Sequence, residues 1–504
     1  MLAKVLSGTT VGLEGVLIEV EVDVAGRGFP SFTIVGLPNK AIDEAKDRVR
    51  TALMNTACDM PDSRLTINLA PADIPKTGSA YDLPIAVGIL AASGALDMQS
   101  IEKSLFIGEL SLEGTVRSVP GILSIVMMAQ QKKVEKVYVP CENAEEAALI
   151  KGITIYPVQS LAALLLHLRE SVLLSSQLET TSPRVLSSAW GDFADIKGQD
   201  SVKRALEIAA AGFHNIHLNG VPGAGKTLLS RTFPSILPLL TYKEAIEVTK
   251  IYSIAGLLHH NSLIWEPPFR APHHSTSQVG LIGGGSIPGP GEITLAHKGV
   301  LFLDEFPEFS RGSIESLRQP LEDGTIGIVR AAGKLHFPAK FLLLAASNPC
   351  PCGYLGHPTK SCHCTSTLIL RYQKKLSGPI MDRIDLHVHV PPVDHEKLLN
   401  SGLSETSETI QARVREARER QRHRFKDTVL MTNSEMSVSD IRNYVRLSEG
   451  AVSLLKQALH KLSLSARSYN KVIKVAQTIT DLSKKEEVSV NAVAEALQYR
   501  PREE

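Results

Sequence analysis

Gly220, Val221, Pro222, Gly223, Ala224, Gly225, Lys226 and Thr227, followed by Leu228, make a GxxxxGK[ST] string, and Val300-Leu-Phe-Leu-Asp304-Glu305 comes later in the chain. The first pattern is a Walker A phosphate loop and the second a Walker B strand end. Successive backbone N–H groups of a Gly-rich loop and of the helix it opens can cradle phosphates. Lys226 can then reach the β/γ-phosphates and the Thr227 hydroxyl can ligate Mg²⁺. Asp304 is expected to hold the same ion and Glu305 to polarise the attacking water. The plainer alternative is a Gly-rich turn before a helix. It is disfavoured because the loop lies between an apolar strand, Ile216 to Leu218, and an amphipathic helix, the context a phosphate loop requires. These residues predict ATP hydrolysis.

Further residues are candidates for the same chemistry. Phe341-Leu-Leu-Leu-Ala-Ala346 reads as a strand ending at Ser347 and Asn348, where a polar side chain can orient the water or simply cap the strand. Arg383, in Asp382-Arg383-Ile384-Asp385, can neutralise transition-state charge in a neighbouring subunit or pair with its flanking aspartates. Arg467 can reach phosphates from a C-terminal helix or be a solvated helix charge. The segment Asp195-Ile-Lys-Gly198-Gln199 can frame the adenine or be a simple helix entry.

The elements that must position these residues follow from periodicity. At 504 residues the chain fits about three domains. Residues 1–170 alternate β-branched runs (16–24, 31–35, 65–69, 105–108, 136–139, 153–157) with helical patterns at 40–57, 82–93 and 122–132, an α/β domain. Residues 171–190 turn Ser/Thr-rich and read as a linker. Residues 191–395 alternate helices with apolar strands, the pattern of a helix-covered parallel sheet. Residues 396–504 read as helices at 407–425, 438–445, 448–462, 466–482 and 490–498. The net charge of +1 excludes a global basic footprint, so any nucleic-acid surface must be local. No apolar run spans a bilayer, and the first ten residues lack a signal-peptide pattern, so the expectation is a soluble cytoplasmic protein. Cys350, Cys352, Cys362 and Cys364 lie in one short segment, far from Cys58 and Cys141. That is no secreted disulfide framework, but it supplies enough thiolates for a structural zinc, with His357 or His363 as alternative ligands.

The Walker motifs, Asn348, Arg383, Arg467 and the long insertion Pro268-Phe-Arg-Ala-Pro-His273-His274 to Gly291-Glu292 together resemble the Mg-chelatase-like clade of AAA+ ATPases. The strings Arg-Ala-Pro-His-His-Ser, Gly-Gly-Gly-Ser-Ile-Pro-Gly-Pro-Gly-Glu-Ile and Asn-Pro-Cys-Pro-Cys-Gly narrow the resemblance to its ComM/YifB branch, over residues 1 to 500. The resemblance implies Asn348 as sensor 1, Arg383 as arginine finger, Arg467 as sensor 2 and a homo-hexameric ring. It also implies ATP-driven work on single-stranded or branched DNA, branch migration during transformation, with recombination proteins as candidate partners.

Two loops can couple the ATP site to DNA. Residues 326–337 read as a β-hairpin with Arg330, Lys334 and His336, facing the pore of a ring; the insertion carries Arg270. Ordinary surface loops are the alternative. The basic run Arg413, Arg415, Arg418, Arg420, Arg422, Arg424 and Lys426 is either a DNA face or a solvated helix. Residues 75–81 and 108–121 resemble the protease domain of Lon. Counted by its motifs, however, Ala80 stands at the nucleophile position and Leu123 at the lysine-base position, with Ser79 one residue away. A Lon-like fold without peptidase activity is expected. Alternatives to a DNA motor are a porphyrin-chelatase motor, whose subunits lack this N-terminal domain and cysteine loop, and a protein-remodelling ATPase, which would favour aromatics in the hairpin.

Overall fold

The computed structural model describes the chain apart from residues 26–28, 37–39, 57, 59, 75, 77, 181–189, 259–262, 286–288, 331–332, 377, 393–404 and 502–504, and apart from the side chains of 40, 41, 43, 329–330 and 333–334. It forms two compact units. One comprises Met1–Arg184, Lys243–Ile264 and Gly327–Phe337; the other comprises Val185–Tyr242, Trp265–Ile326 and Pro338–Glu504.

In the first unit, β1 (Leu2–Val11) and β2 (Glu14–Val24) pair antiparallel over their full length. Alternate residues Val5, Ile18, Val20 and Val22 point into the core, the period of two that a half-buried strand requires. β3 (Ser31–Val35) runs parallel to β4 (Arg64–Ala70), which is antiparallel to β2. On the other side β5 (Ser104–Phe106) is parallel to β1; beyond the small ribbon of β6 (Glu109–Leu110) and β7 (Val116–Arg117) come β8 (Lys136–Pro140) and β9 (Thr154–Val158). The seven-stranded order is β3-β4-β2-β1-β5-β8-β9. Every residue of the Asp82–Ala92 helix is buried, and its Gly88 lies so close to β2 that a methyl there would sit 2.6 Å from a Val22 methyl. A later segment completes this unit. Ser253, in the helix Tyr242–Ile254, accepts a hydrogen bond from Gly121 N–H (3.1 Å) and donates its hydroxyl to the buried Glu146, which also accepts from Leu123 N–H at 3.2 Å.

The second unit is built on β10 (Ile216–Gly220), β11 (Phe269–Arg270), the two-residue ribbon β12 (Gly283–Gly284) with β13 (Gly289–Pro290), β14 (Val300–Leu303), the hairpin β15 (Thr325–Arg330) and β16 (Gly333–Pro338), β17 (Leu342–Ser347) and β18 (Leu386–Val390). Five of these form an all-parallel sheet in the order β11-β14-β17-β10-β18. β14 and β17 are buried at every residue, as strands covered on both faces must be. The helix Asp200–Gly212 packs on β18 and carries the helices Ser407–Arg424 and Ala466–Leu482, so sheet and C-terminal helices share one core. Beyond residue 395 the helices also pack on one another, Val490–Gln498 against both Ala466–Leu482 and Glu449–Lys461. Residues 243–264 and most of the hairpin, expected within the nucleotide-binding domain, group with the first unit.

Candidate functional site

Parallel strands put their C-terminal ends on one edge of a sheet, where open α/β folds bind ligands. β10 ends at Gly220, and the chain turns through Gly223 (φ 80°) and Gly225 (φ 88°) into the helix Lys226–Thr232. A Cβ on either glycine would meet nothing within 4 Å, so the loop presents an open concave backbone face. Lys226 is nearly buried, and its ammonium donates to the carbonyls of Gly220 (2.5 Å) and Val221 (3.0 Å) and to Asn348 Oδ1 (3.1 Å). Burial lowers its pKa. Thr227 donates to Asp304 Oδ2 at 2.8 Å, and Asp304 Oδ1 accepts the Glu305 N–H at 3.0 Å. Glu305 leaves β14 in the left-handed region (φ 50°), which turns its carboxylate away from the strand toward His274 Nδ1, 3.5 Å off. Gln199 donates to the Ala224 and Pro391 carbonyls (3.2 and 2.6 Å), and its Oε1 is buried without a partner. Val221 and Ala224 are buried beneath the loop, while Leu228 is half exposed on the helix. Six predicted residues therefore converge: Gln199, Lys226, Thr227, Asp304, Glu305 and Asn348.

The two arginines lie elsewhere. Arg383 precedes β18 and Arg467 opens the Ala466–Leu482 helix; both line a cleft of about 530 Å³ with Asn215, Glu322, Phe341 and Asp385. Asn215, Phe341 and Asp385 stand at the N-terminal ends of β10, β17 and β18, the edge opposite the phosphate loop. A five-residue strand separates the edges by about 15 Å, and no residue of the phosphate loop or of the Walker B pair lines the cleft. Arg383 is held by the Glu322 carboxylate and by the Pro379 carbonyl at 2.6 Å. Arg467 thus opens its helix on the same edge as Arg383, away from the phosphate loop of this chain.

Magnesium-chelatase family models match residues 192–398 (magnesium chelatase, subunit ChlI), 20–143 (subunit ChlI of Mg-chelatase) and 404–500 (subunit ChlI, C-terminal). Competence protein ComM of Haemophilus influenzae is 43% identical over 507 residues, covering 99% of this chain and 97% of that protein. The chain belongs to the ComM/YifB branch of the Mg-chelatase-like AAA+ ATPases. YifB of Escherichia coli is 40% identical over 503 residues, again 99% of this chain and 97% of the relative. The 67 kDa magnesium-chelatase subunit of Chlorobaculum parvum is 25% identical over 161 residues, 31% of this chain and 23% of that subunit.

Within this ComM/YifB chain the remaining candidates divide sharply. Arg270, expected among DNA contacts, forms a bidentate pair with Glu292 (2.7 and 2.8 Å), which ties the two ends of the insertion together and neutralises the charge. The insertion instead contributes His274, beside Glu305; a His-His pair in a Gly-rich segment was the only signal that could have found it. The side chains of Arg330 and Lys334 lie outside the described residues. His336 is described, and its carbonyl lies in the first unit, 3.7 Å from where a Cβ on Gly12 would stand, against the β1–β2 turn. In the basic helix, Arg413 pairs with Glu207 (2.5 Å) and Glu405, Arg418 donates to the Ala210 carbonyl (2.8 Å), and Arg424 pairs with Asp481. Those three are packing residues. The four clustered cysteines converge, with all four Sγ atoms within 4.8 Å of one another.

At the Lon-like positions, Leu123 is fully buried and Ser79 donates its hydroxyl to the Glu109 carboxylate. Lys76 donates its ammonium to the Pro71 carbonyl. Among the described residues no helix is long and apolar enough to cross a membrane.

Proposed function

We propose that this chain hydrolyses ATP and, as a hexameric ring, converts the cycle into movement on single-stranded or branched DNA. The convergence of Lys226, Thr227, Asp304, Glu305 and Asn348 around an open glycine loop supports the ATPase reading most directly. Phosphate oxygens entering the loop replace the carbonyl partners of Lys226 and relieve the desolvation that lowers its pKa. Thr227 Oγ1 and Asp304 Oδ2, 2.8 Å apart, offer the hard oxygen donors that Mg²⁺ takes. The bound ion would neutralise charge on the β- and γ-phosphates. Glu305 positions and deprotonates the water, and Asn348 holds it in line with the γ-phosphate. Gln199 Oε1, a buried acceptor without a partner, suits the adenine amino group.

Arg383 and Arg467 sit on the edge of the sheet away from this site. Their role at phosphates therefore belongs to the site of an adjacent chain, which is the case for a ring. Exchange of Glu322 for the neighbour's γ-phosphate frees Arg383. Assignment to DNA draws on the name of the full-length relative, a competence protein, and on Arg330 and Lys334 of the hairpin as backbone-tracking cations. The Lon-like positions carry no serine–lysine pair, and a binding or assembly role is assigned to that domain.

Steady-state hydrolysis with single-stranded, duplex and forked DNA tests this, with Glu305→Gln as the blank. Stimulation that declines steeply with salt is expected. Turnover no higher than the blank would sink the ATPase reading. Turnover indifferent to every DNA would sink the motor on DNA and point to a protein or porphyrin substrate.

A further inference from the structure

Between Ser347 at the end of β17 and the helix Ser366–Gln373 the chain runs without regular secondary structure. Loops of that length inside a compact unit need an internal staple or a function. The cysteines stand at the two ends of this loop. Cys350 and Cys352 Sγ are 3.4 Å apart, Cys350 and Cys362 3.7 Å, Cys352 and Cys362 3.6 Å, and Cys364 completes a group within 4.8 Å. A tetrahedron with Zn–S bonds of about 2.3 Å has S–S edges of about 3.8 Å. Three of these edges are therefore already near length, and a small shift of Cys364 closes the fourth corner. His357, a candidate ligand by sequence, instead accepts the N–H groups of Thr359 and Lys360 (both 3.1 Å) through Nδ1. The four thiols suffice, and an all-sulfur tetrahedral set selects a soft or borderline cation over Mg²⁺.

The loop also touches the phosphate site. Asn348, which holds Lys226, lies two residues before Cys350. Gly353, in the left-handed region at φ 81°, packs so tightly on the phosphate loop that a Cβ would sit 2.5 Å from Pro222 Cγ.

We propose that Cys350, Cys352, Cys362 and Cys364 form a tetrathiolate zinc site, and that the metal fixes the loop that aims Asn348 and backs Pro222, thereby setting nucleotide affinity. Binding displaces four thiol protons to solvent and leaves a complex of net charge −2, with no redox change. The coupling to nucleotide rests on the ATPase reading; the metal site does not.

The test uses the reduced full-length protein, purified without a metal-affinity tag. Elemental analysis should find about one zinc per chain, lost in Cys352→Ser and Cys364→Ser, and Co²⁺ replacement should give the thiolate charge-transfer bands of a tetrahedral site. Removing zinc with a zinc-selective chelator, with Mg²⁺ in excess, should weaken binding of a fluorescent ATP analogue about tenfold, reversibly. Gly353→Ala should keep the zinc and weaken the nucleotide, which guards against a cysteine variant that merely misfolds. Reduced wild-type protein that neither contains zinc nor takes up Co²⁺ with thiolate bands would overturn the site. Unchanged nucleotide affinity after verified zinc removal would overturn the coupling. Failure of zinc-loaded protein to bind nucleotide at all would instead overturn the ATPase reading and leave the zinc stoichiometry standing.

Discussion

Both units bury charged side chains, but they partner them differently. In the first, Asp82 is fully buried, accepts from Arg48 Nε (2.7 Å) and Nη2 (3.1 Å) and from Leu110 N–H (3.2 Å); Glu146 accepts from Leu123 N–H and from the side chains of Asn143 and Ser253. In the second, Lys226 is nearly as buried, yet its partners are two loop carbonyls and one amide oxygen bordering an open backbone face. A buried charge whose partners are all internal is architecture. One whose partners a ligand can displace marks a site.

That contrast can be broken by mutation, most drastically at the phosphate loop. Lys226→Ala and Glu305→Gln should each lower turnover by about 10³-fold or more while leaving the first unit's hydrogen-exchange protection intact. An active Glu305→Gln enzyme would erase the distinction. Arg383→Ala should lose on the order of 10³-fold, but mixing it with Lys226→Ala chains should restore part of the hydrolysis, because each supplies what the other lacks across a subunit contact. No recovery in any mixture would place Arg383 outside the neighbour's site. Asp82→Ala removes the buried carboxylate that accepts from the half-buried Arg48 guanidinium and from Leu110 N–H, and should destabilise the first unit by roughly 1–3 kcal/mol, read by urea unfolding, with turnover per folded molecule unchanged.

Acid should separate the units by sign. Burial pushes His217 down to about 3 and His387 down to about 4, both below the ordinary value near 6.5. Their contribution is present above that value and lost as pH falls below it, toward about 3 for His217 and about 4 for His387, by up to about 1.4 kcal/mol per pH unit for each. Burial raises Asp82 to about 6, above its ordinary 3.8. Its contribution is fullest in acid and is lost as pH rises through 6. Regional hydrogen exchange between pH 7 and 4.5 should therefore show the second unit loosening while Asp82 opposes loosening in the first; parallel loosening that Asp82→Asn does not alter would contradict this. The smallest effect is expected at His274, a half-exposed partner of Glu305. His274→Ala should change kcat by about two- to fivefold; an unchanged kcat would leave Glu305 independent of it.

Much of the second unit was legible because its chemistry is local. A Gly-rich loop after an apolar strand, an Asp-Glu pair at the end of another and a polar residue at the end of a third must meet wherever parallel strands align. The first strand, Leu2–Val11, is not legible in the sequence because Ser7 and Thr9 are buried polar residues that break the apolar alternation; its pairing with β2 and β5 defines it. Arg270 reads from the sequence as a candidate DNA contact, whereas its pairing with Glu292 depends on how the insertion folds back on itself.

The residue order by itself determined which groups can bind phosphate, an ion or a soft metal, since loop glycines, strand-end carboxylates and paired cysteines act through spacing of a few residues. Only the tertiary structure decided which edge of the sheet each arginine occupies, that His274 reaches Glu305, that residues 243–264 complete the first unit's core through Ser253 and Glu146, and that the four thiols lean on Pro222 through Gly353. The reason is physical: those outcomes depend on burial and on partners distant in sequence, whose contact is set by how whole elements pack.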